Sequence, residues 1–377
     1  MSSLIRSLRF TALTGALAVS AVLALSGSAS AFPTNRAVFV QTDNPAGNQI
    51  VVYDRAPDGT LTAAGTYDTG GLGGKLEGSV SDHLASQASL TYDRQNGLLY
   101  AVNAGSNTIS VFAVLGDRLA LREVLSSGGS FPVSIAVSND VVYVLNGLEG
   151  GSLQGFRVNS GRLVPIAGSA RALGLNPSAT PQFVNTPGQV AFSPGGSQLI
   201  VTTKANGNDV DVFRVNPVGR LSQAPVVNSL AGTVPFAIAF DRQEHLLVTE
   251  AGPGSLASFE LKEDGTIGQL DVVATGQTAT CWIVPAGRRF FTSNTGSGSL
   301  SGFESSLGGR LLTLFSTTST DAGTTDATVP NSGRFLYVQA GIEGIVDEFA
   351  IGPEGALSKI GSVLVPGAAG GEGITAP

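Results

Sequence analysis

The sequence predicts an all-β fold, a seven-bladed β-propeller with four antiparallel strands per blade, from three observations. An aromatic residue at the end of a strand-like run recurs seven times, at spacings of 44 to 59 residues. Each of these anchors is followed by a turn that contains glycine and then by an aliphatic residue. The chain has 50 glycines in 377 residues, which suits many short strands joined by tight turns. The anchors are Tyr53, Phe112, Phe156, Phe213, Phe259, Phe303 and Phe349.

Each repeat is predicted to form one blade of four strands, a to d from the axis outwards. Strand b is a run with a bulky middle residue, such as Leu99-Tyr100-Ala101. Strand a is a shorter run of small and β-branched residues, such as residues 134–137, which suits a crowded axis. Turns such as Asp264-Gly265 join strands c and d. A β-helix is the alternative, but its repeats are shorter than these.

The two ends of the chain are predicted to share one blade. The first repeat begins with its strand b and has no strand a before it, whereas residues 371–377 resemble a lone inner strand. We therefore expect the C-terminal strand to join the N-terminal blade and close the ring, which removes an unpaired strand edge.

Two repeats are longer than the others by about a dozen residues. The extra residues fall at about 70–87 and 171–186, between strand d of one blade and strand a of the next. We expect both insertions to lie on the same face of the disc, near the axis. Loops placed in this way on a rigid scaffold commonly carry function.

Residues 1–31 are predicted to be a secretory signal peptide, and residues 32–377 the propeller domain. Arg6 and Arg9 precede an apolar stretch over residues 10–25, and Ala29-Ser30-Ala31 fits the cleavage pattern. A membrane anchor is the alternative, but Thr and Gly interrupt the short apolar stretch. We expect a secreted protein, extracellular or periplasmic, with no membrane span after cleavage.

Composition excludes several classes of function. One cysteine excludes a disulfide scaffold and a thiolate zinc site, and two histidines leave little for a metal centre. A formal net charge of −7 argues against a nucleic-acid partner. We expect a monomer without metal or cofactor, whose partner is a small polar ligand or a molecule of the cell surface.

The blade motifs resemble those of the seven-bladed lactonase family, which includes propeller-type 6-phosphogluconolactonases and carboxymuconate cyclases. They are AFSPGG at 191–196, LYAVNAGSNTISVF at 99–112 and TSNTGSGSLSGF at 292–303. The resemblance implies a propeller that hydrolyses a lactone. Members of the family often begin an inner strand with Pro-Arg-His, but the matching segments here begin at Pro132, Pro187 and Pro235 and contain neither Arg nor His. This departure weakens the case for a phosphorylated sugar lactone.

The ends of strand b supply the candidate site. Glu250 is the carboxylate at this level and is predicted to be a general base if burial raises its pKa. Lys204 follows one of the ring positions. The polar side chains expected to form a ligand-binding ring around the axis are Thr42, Asn103, Asn146, Thr203, Lys204 and Asn294. In the alternative interpretation, the Asn and Thr side chains cap turns.

Three further features have two interpretations each. His83 stands beside Asp82 and is a second candidate catalytic residue, or else a solvated loop histidine. Cys281 is a small core residue or a reactive thiol. Residues 206–211 have calcium-like spacing, which a b–c turn explains equally well.

Three functions therefore remain open. The first is a secreted hydrolase of a lactone or related small polar substrate at the axial face. The second is a non-catalytic propeller that binds a sugar, a peptide or a cell-envelope partner. The third is a structural protein of the envelope or matrix. The predicted fold is compatible with all three.

Overall fold

The computed structural model describes residues 36–306 and 310–377. These residues form one compact unit with seven antiparallel sheets. The predicted signal peptide lies outside the described residues. Among the residues described, no helix is both long and apolar enough to cross a membrane.

The first three blades are built from strands in consecutive order. They are β1 (Ala37–Gln41), β2 (Gln49–Arg55), β3 (Leu61–Asp68), β4 (Leu90–Asp93), β5 (Leu98–Asn103), β6 (Thr108–Leu115), β7 (Arg118–Ser126), β8 (Pro132–Ser138), β9 (Val141–Asn146), β10 (Ser152–Asn159), β11 (Arg162–Pro165) and β12 (Arg171–Ala172). Both β11 and β12 pair with β10, so the outer edge of blade 3 has two short strands.

Blades 4 to 7 contain four strands each, and the last strand of the chain, β29, belongs to blade 1. They are β13 (Gln189–Phe192), β14 (Gln198–Thr202), β15 (Asp209–Arg214), β16 (Val226–Ser229), β17 (Pro235–Phe240), β18 (Leu246–Glu250), β19 (Ser255–Leu261), β20 (Ile267–Ala274), β21 (Thr280–Ala286), β22 (Arg289–Asn294), β23 (Ser299–Ser305), β24 (Leu312–Ser319), β25 (Thr324–Thr328), β26 (Phe335–Ala340), β27 (Ile345–Ile351), β28 (Leu357–Leu364) and β29 (Ile374–Thr375).

Helical structure in the described residues is limited to single turns. They are α1 (Gln182–Asn185) and the 3-10 turns Ala104–Ser106, Lys204–Asn206 and Pro353–Gly355. The all-β prediction with four antiparallel strands per blade is therefore confirmed.

The ring closes through the C-terminal strand, as the sequence predicts. β29 pairs antiparallel with β1, with Ile374 opposite Val40, so that blade 1 has the order β29, β1, β2, β3. The backbone N–H of Gln41 also donates to the carbonyl of Gly373, at 2.8 Å. The inner strand of the first blade is thus supplied by the other end of the chain.

The core lies between and within the blades. All seven aromatic anchors have at most 2% of their surface exposed. In five blades the register between strands c and d shifts at the anchor. A bulge at this point increases the local twist of the pair. The repeated aromatic residue therefore fills the blade interface where the outer strand turns away.

The two insertions lie on the face that carries the b–c turns. The N–H of Gly105, after β5, donates to the carbonyl of Leu72 at 3.1 Å, and the N–H of Leu175 donates to the carbonyl of Gly150 at 3.0 Å. The insertions also meet each other, because the N–H of Glu77 donates to the side chain of Gln182 at 3.0 Å.

Candidate functional site

A cavity of about 320 Å³ opens on this face, among the inner ends of blades 4 to 6 and the two insertions. Its floor is made of buried side chains from four different segments. Asp82 comes from the first insertion, Lys204 from the b–c turn of blade 4, Phe236 from β17, and Cys281 and Trp282 from β21. The rings of Phe236 and Trp282 are 4.8 Å apart. The volume and this mixture of aromatic and ionisable groups suit a small ligand.

The backbone around the cavity is left-handed at several positions. Four of its lining residues have positive φ although none is glycine: Ala85 (48°), Lys204 (52°), Val234 (53°) and Ala279 (57°). Left-handed backbone is especially unfavourable for a β-branched residue such as Val234. Strain of this kind clusters at functional sites, where the surrounding structure enforces it.

The entry of the inner strands is bulged at the same place. The register of β17 with β18 shifts between Pro235 and Ile238, and that of β21 with β22 shifts between Thr280 and Trp282. Both shifts lie where the strand passes the cavity. The same shift occurs at the start of β8 and of β25, so the inner strands at the cavity share a feature of the blade, and the insertions supply what is particular to this site.

Lys204 is hydrogen-bonded to both insertions, and 1% of its surface is exposed. Its Nζ atom donates hydrogen bonds to the backbone oxygens of Ala85 (2.6 Å) and Phe183 (2.7 Å) and to Oγ1 of Thr186 (3.1 Å). The same atom lies 5.3 Å from the centre of the Phe236 ring. Burial lowers the pKa of Lys204 to about 8. Since three acceptors match the three ammonium hydrogens, Lys204 holds the two insertions in place around the cavity.

Four buried carboxyl groups meet beside the cavity: Asp43, Asp82, Asp326 and Glu372. Burial raises the pKa of Asp43 to about 8 and that of Asp326 to about 7. It also raises the pKa of Asp82 and of Glu372, and each of the neighbouring carboxylates raises that of Glu372 further. Carboxylates so close together cannot all ionise, so part of the cluster holds protons at neutral pH.

Asp82 and Glu372 are hydrogen-bonded to each other through their side chains, and Asp82 lines the cavity. Glu372 accepts from the N–H of Ser86 at 3.0 Å and from its hydroxyl at 2.8 Å. Asp82 accepts from the N–H of Leu84 at 2.8 Å. Two carboxyl groups held in this way share one proton and can act as an acid and base pair.

The predicted ring of polar residues lies on the same face, but its side chains point into their own b–c hairpins. Nδ2 of Asn294 donates to the hydroxyls of Ser299 (3.1 Å) and Ser301 (2.9 Å). Asn103 makes the equivalent bonds to Thr108 (3.1 Å) and Ser110 (2.8 Å). These side chains connect strand b to strand c.

The remaining positions of the predicted ring have similar surroundings. Oγ1 of Thr203 accepts from the N–H of Asp209 at 2.8 Å, and Oγ1 of Thr42 accepts from the N–H of Gln49 at 3.0 Å. Asn146 is 3.4 Å from the hydroxyl of Ser152, at the limit of a hydrogen bond. Of the predicted binding residues, Lys204 is the one that lines the cavity.

The two predicted catalytic residues lie near the cavity without lining it. Glu250 accepts a 2.5 Å hydrogen bond from Ser255, and burial raises its pKa. His83 has a lowered pKa because of burial, and its Nδ1 has no partner among the described residues. Asp82 does not orient the imidazole, because its oxygens accept from backbone N–H groups and from Glu372.

Sequence reasoning missed Asp43, Asp326 and Glu372, and considered Asp82 only as a partner of His83. Asp82 lies in the first insertion, Glu372 in the C-terminal segment and Asp326 in the inner strand β25. Asp43 directly follows the predicted ring position Thr42, so its place beside that ring was the available signal. Cys281 is buried, and burial raises its pKa to about 12, so its thiol is not activated.

A larger cleft of about 720 Å³ lies on the opposite face, between blades 4 and 5. It contains His245, which is partly buried, with Nδ1 3.0 Å from Asp241. Asp241 also accepts from the N–H groups of Gln243 and His245, so it caps the a–b turn. We assign this pair a structural role.

Residues 206–211, which have calcium-like spacing, form the b–c turn of blade 4 and the start of β15. Within the described ranges, no group of three or more His, Cys, Asp or Glu side chains could hold a metal ion.

Comparison with known proteins adds a family assignment. The model of the seven-bladed β-propeller lactonases matches residues 79–370. A proposed 6-phosphogluconolactonase from Bacteroides fragilis is 17% identical over 88% of this chain and 96% of its own, with a TM-score of 0.72. The periplasmic gluconolactonase of Pseudomonas aeruginosa is 18% identical over 90% of this chain and 98% of its own, also with a TM-score of 0.72.

Identities this low establish a shared fold only. No curated protein sequence gives a significant match. The family model, however, spans most of the chain and agrees with the seven blades. The chain belongs to the lactonase family of seven-bladed β-propellers.

Proposed function

We propose that this protein is a lactonase-type hydrolase that opens a small uncharged lactone, or a related ester, in the 320 Å³ cavity. The observation that carries the proposal is the Asp82–Glu372 carboxyl pair, one member of which lies at the cavity floor. A buried carboxyl with a raised pKa beside a second carboxyl is the arrangement in which acid and base roles divide. Membership of the lactonase family supports the same reaction class.

In the proposed reaction, ionised Asp82 removes a proton from a water molecule as the water oxygen bonds to the lactone carbonyl carbon. The ring C–O bond then breaks, and the leaving oxygen takes a proton from the carboxyl pair. Lactone and water give a hydroxy acid, and the pair returns to its original protonation state. Glu372 holds the shared proton and keeps Asp82 able to accept another.

The charge of the site favours an uncharged substrate. Among the residues described, no arginine lines the cavity, and the three donors of Lys204 are already bonded to the insertions. Four buried carboxyl groups lie beside the site. A phosphate needs free cationic donors, so a phosphorylated sugar lactone is a poor fit.

The test is a lactone and ester hydrolysis screen on the mature protein with three matched variants. Asp82→Asn keeps the size of the side chain and removes the base, so we expect a loss of at least about a hundredfold in kcat/KM. Glu250→Gln and His83→Gln test the residues that the sequence predicts to be catalytic. Full activity in Asp82→Asn with loss in Glu250→Gln would move the site to the ends of strand b. Circular dichroism of each variant controls for folding.

A binding propeller, which recognises a sugar, a peptide or an envelope partner, is the second candidate. The hydrogen bonds of Lys204 support it, because they use the buried ammonium to hold the two insertions in place and leave it unable to stabilise the oxyanion of a hydrolysis. In that case, none of the three substitutions changes a hydrolysis rate, since no substrate is turned over.

We further propose that the protein is exported and that a signal peptidase cleaves it after Ala31. The support is the charge, apolar stretch and small residues of positions 1–31. N-terminal sequencing of the exported protein should begin at Phe32. Recovery in membranes with an intact N-terminus would contradict export.

A further inference from the structure

The cavity has a polar floor and an apolar rim. Asp82 and Lys204 lie at the floor, where both are buried. Val80, Val184 and Val234 lie at the mouth, where they are exposed or partly exposed. Val80 stands out because 76% of its surface is exposed, more than any other large apolar side chain among the described residues.

Both insertions contribute to this rim. Val80 belongs to the first insertion, and Phe183 and Val184 belong to the short helix α1 in the second. The opposite side is completed by Val234 and Ala279, two of the residues with positive φ. Val80 and Val184 lie in insertions that the other blades lack, so blade packing does not explain why they stand at the cavity mouth.

The polar groups of the floor have little capacity for further hydrogen bonds. Nζ of Lys204 has three acceptors, and Nε1 of Trp282 donates to the carbonyl of Ser86 at 2.5 Å. The Asp82–Glu372 carboxyl pair remains available to bond a ligand, and it is enough for one reacting carbonyl group. A polyhydroxylated ring would lose its water on entering this cavity without gaining partners, which opposes binding.

We infer that the lactone taken by this cavity carries an alkyl chain, with the ring at the Asp82 floor and the chain along the Val80–Val184 rim. This inference rests on the proposed function and specifies its substrate class. An alkyl chain removes the exposed rim from water, whereas a sugar ring does not. Each methylene buried in this way raises affinity about fourfold.

Trp282 makes the inference testable without turnover, because it is the single tryptophan of the chain and lies in the cavity wall. The mature protein and its Asp82→Asn variant are titrated with γ-lactones from γ-valerolactone to γ-dodecalactone, and Trp282 fluorescence is followed. We expect Kd to fall about fourfold per methylene until the chain passes the rim. Glucono-δ-lactone, the polyhydroxylated comparison, should bind at least about tenfold more weakly than γ-decalactone.

Val80→Asp places a charge on the rim and should weaken γ-dodecalactone binding at least about tenfold while leaving γ-valerolactone unchanged. Val218→Asp is the matched control, since Val218 is 57% exposed in the c–d turn of blade 4, away from the cavity. It should change neither affinity. Equal effects of the two substitutions would overturn the placement of the chain.

The outcomes separate this inference from the proposed function. Binding that depends on chain length, without turnover of any lactone, would overturn the hydrolase and leave the apolar ligand class standing. Asp82-dependent turnover of glucono-δ-lactone, with no gain from added methylenes, would overturn the alkyl chain and leave the hydrolase standing. Absence of any Trp282 response and of any lactone turnover would overturn both.

Discussion

Two groups of polar residues share one face of this propeller and have different origins. At the ends of strand b, Asn103 and Asn294 occupy equivalent positions of blades 2 and 6 and bond to equivalent hydroxyls of the following strand. At the cavity floor, Asp82 comes from an insertion, and its partner Glu372 comes from the C-terminal segment behind it. In this chain, the recurring amides hold the blade together, and segments outside the regular repeat supply the acid pair of the cavity.

The two groups also differ in energetic cost. The amides are neutral and mostly hydrogen-bonded, so their burial is nearly compensated. The carboxyls are buried together, and each unit by which burial raises a pKa reflects about 1.4 kcal/mol of penalty on the charged form. Buried groups with such perturbed pKa values are typical of functional sites.

The largest effect should come from deleting residues 371–377. The deletion removes β29 from blade 1, exposes the edge of β1, and takes away the bonds of Glu372 to Ser86. We expect a loss of several kcal/mol in the free energy of unfolding, a substantial part of a typical domain's stability. Thermal and urea unfolding measure it.

Glu372→Gln is the control for this deletion, because it keeps β29 and a side chain of equal size. It should retain most of the stability lost in the truncated protein. An unchanged melting temperature after deletion would show that the ring closes without its C-terminal strand.

The carboxyl cluster should make the protein less stable at alkaline pH. Asp43 and Asp326 have raised pKa values of about 8 and about 7, so the folded state keeps protons that the unfolded chain loses above about pH 4. Stability is therefore fullest below pH 4 for these groups and falls as pH rises to 8. The pKa values of His83 and Lys204 are lowered, so these two groups make stability rise with pH. The contribution of His83 lies near neutrality and that of Lys204 lies above pH 8.

We expect a Tm lower by at least about 3 °C at pH 8 than at pH 5, measured by calorimetry in matched ionic strength. Asp43→Asn should flatten this decline and exceed the wild type in stability at pH 8. Gln41 has an unpartnered Oε1 in the described structure and can accept from the new amide after a flip. A decline equal in both proteins would remove Asp43 as its source.

The sequence was sufficient for the fold because the fold is periodic. Tyr53 and Phe349 stand at equivalent points of the first and last blades, and residues 371–377 complete the count of inner strands. The cavity could not be predicted in this way. Asp82 and Glu372 are 290 residues apart in sequence and meet through ring closure, which no local pattern encodes.

Periodicity also predicts that both insertions share one face of the disc, which is where the structure has them, but it does not give the direction of side chains. A strand alternates its side chains, so a shift of one residue turns them from the hairpin to the axis. Thr203 points into its hairpin, and Lys204, the next residue, reaches the cavity.

Among the recurring amides, Asn294→Ala should have the larger effect. It removes two bonds from Nδ2, to Ser299 and Ser301, and one to Oδ1 from the Thr280 hydroxyl at 2.7 Å. Leaving these buried hydroxyls unpaired should cost about 2–3 kcal/mol in urea unfolding. Ligand affinity should not change, because none of these side chains lines the cavity.

The smallest effect should come from Asn146→Ala, at the equivalent position of blade 3. Its contacts with Ser152 are 3.4 and 3.5 Å long, and its Oδ1 has no partner among the described residues. Bonds at this length contribute little, and removal of an unpaired buried oxygen offsets part of their loss. We expect a cost below about 1 kcal/mol in the same unfolding assay. The opposite result for Asn146→Ala would be weaker ligand binding, measured by Trp282 fluorescence, with unchanged stability. That result would show that the ends of strand b face the ligand, and it would contradict the assignment of the recurring amides to blade structure alone.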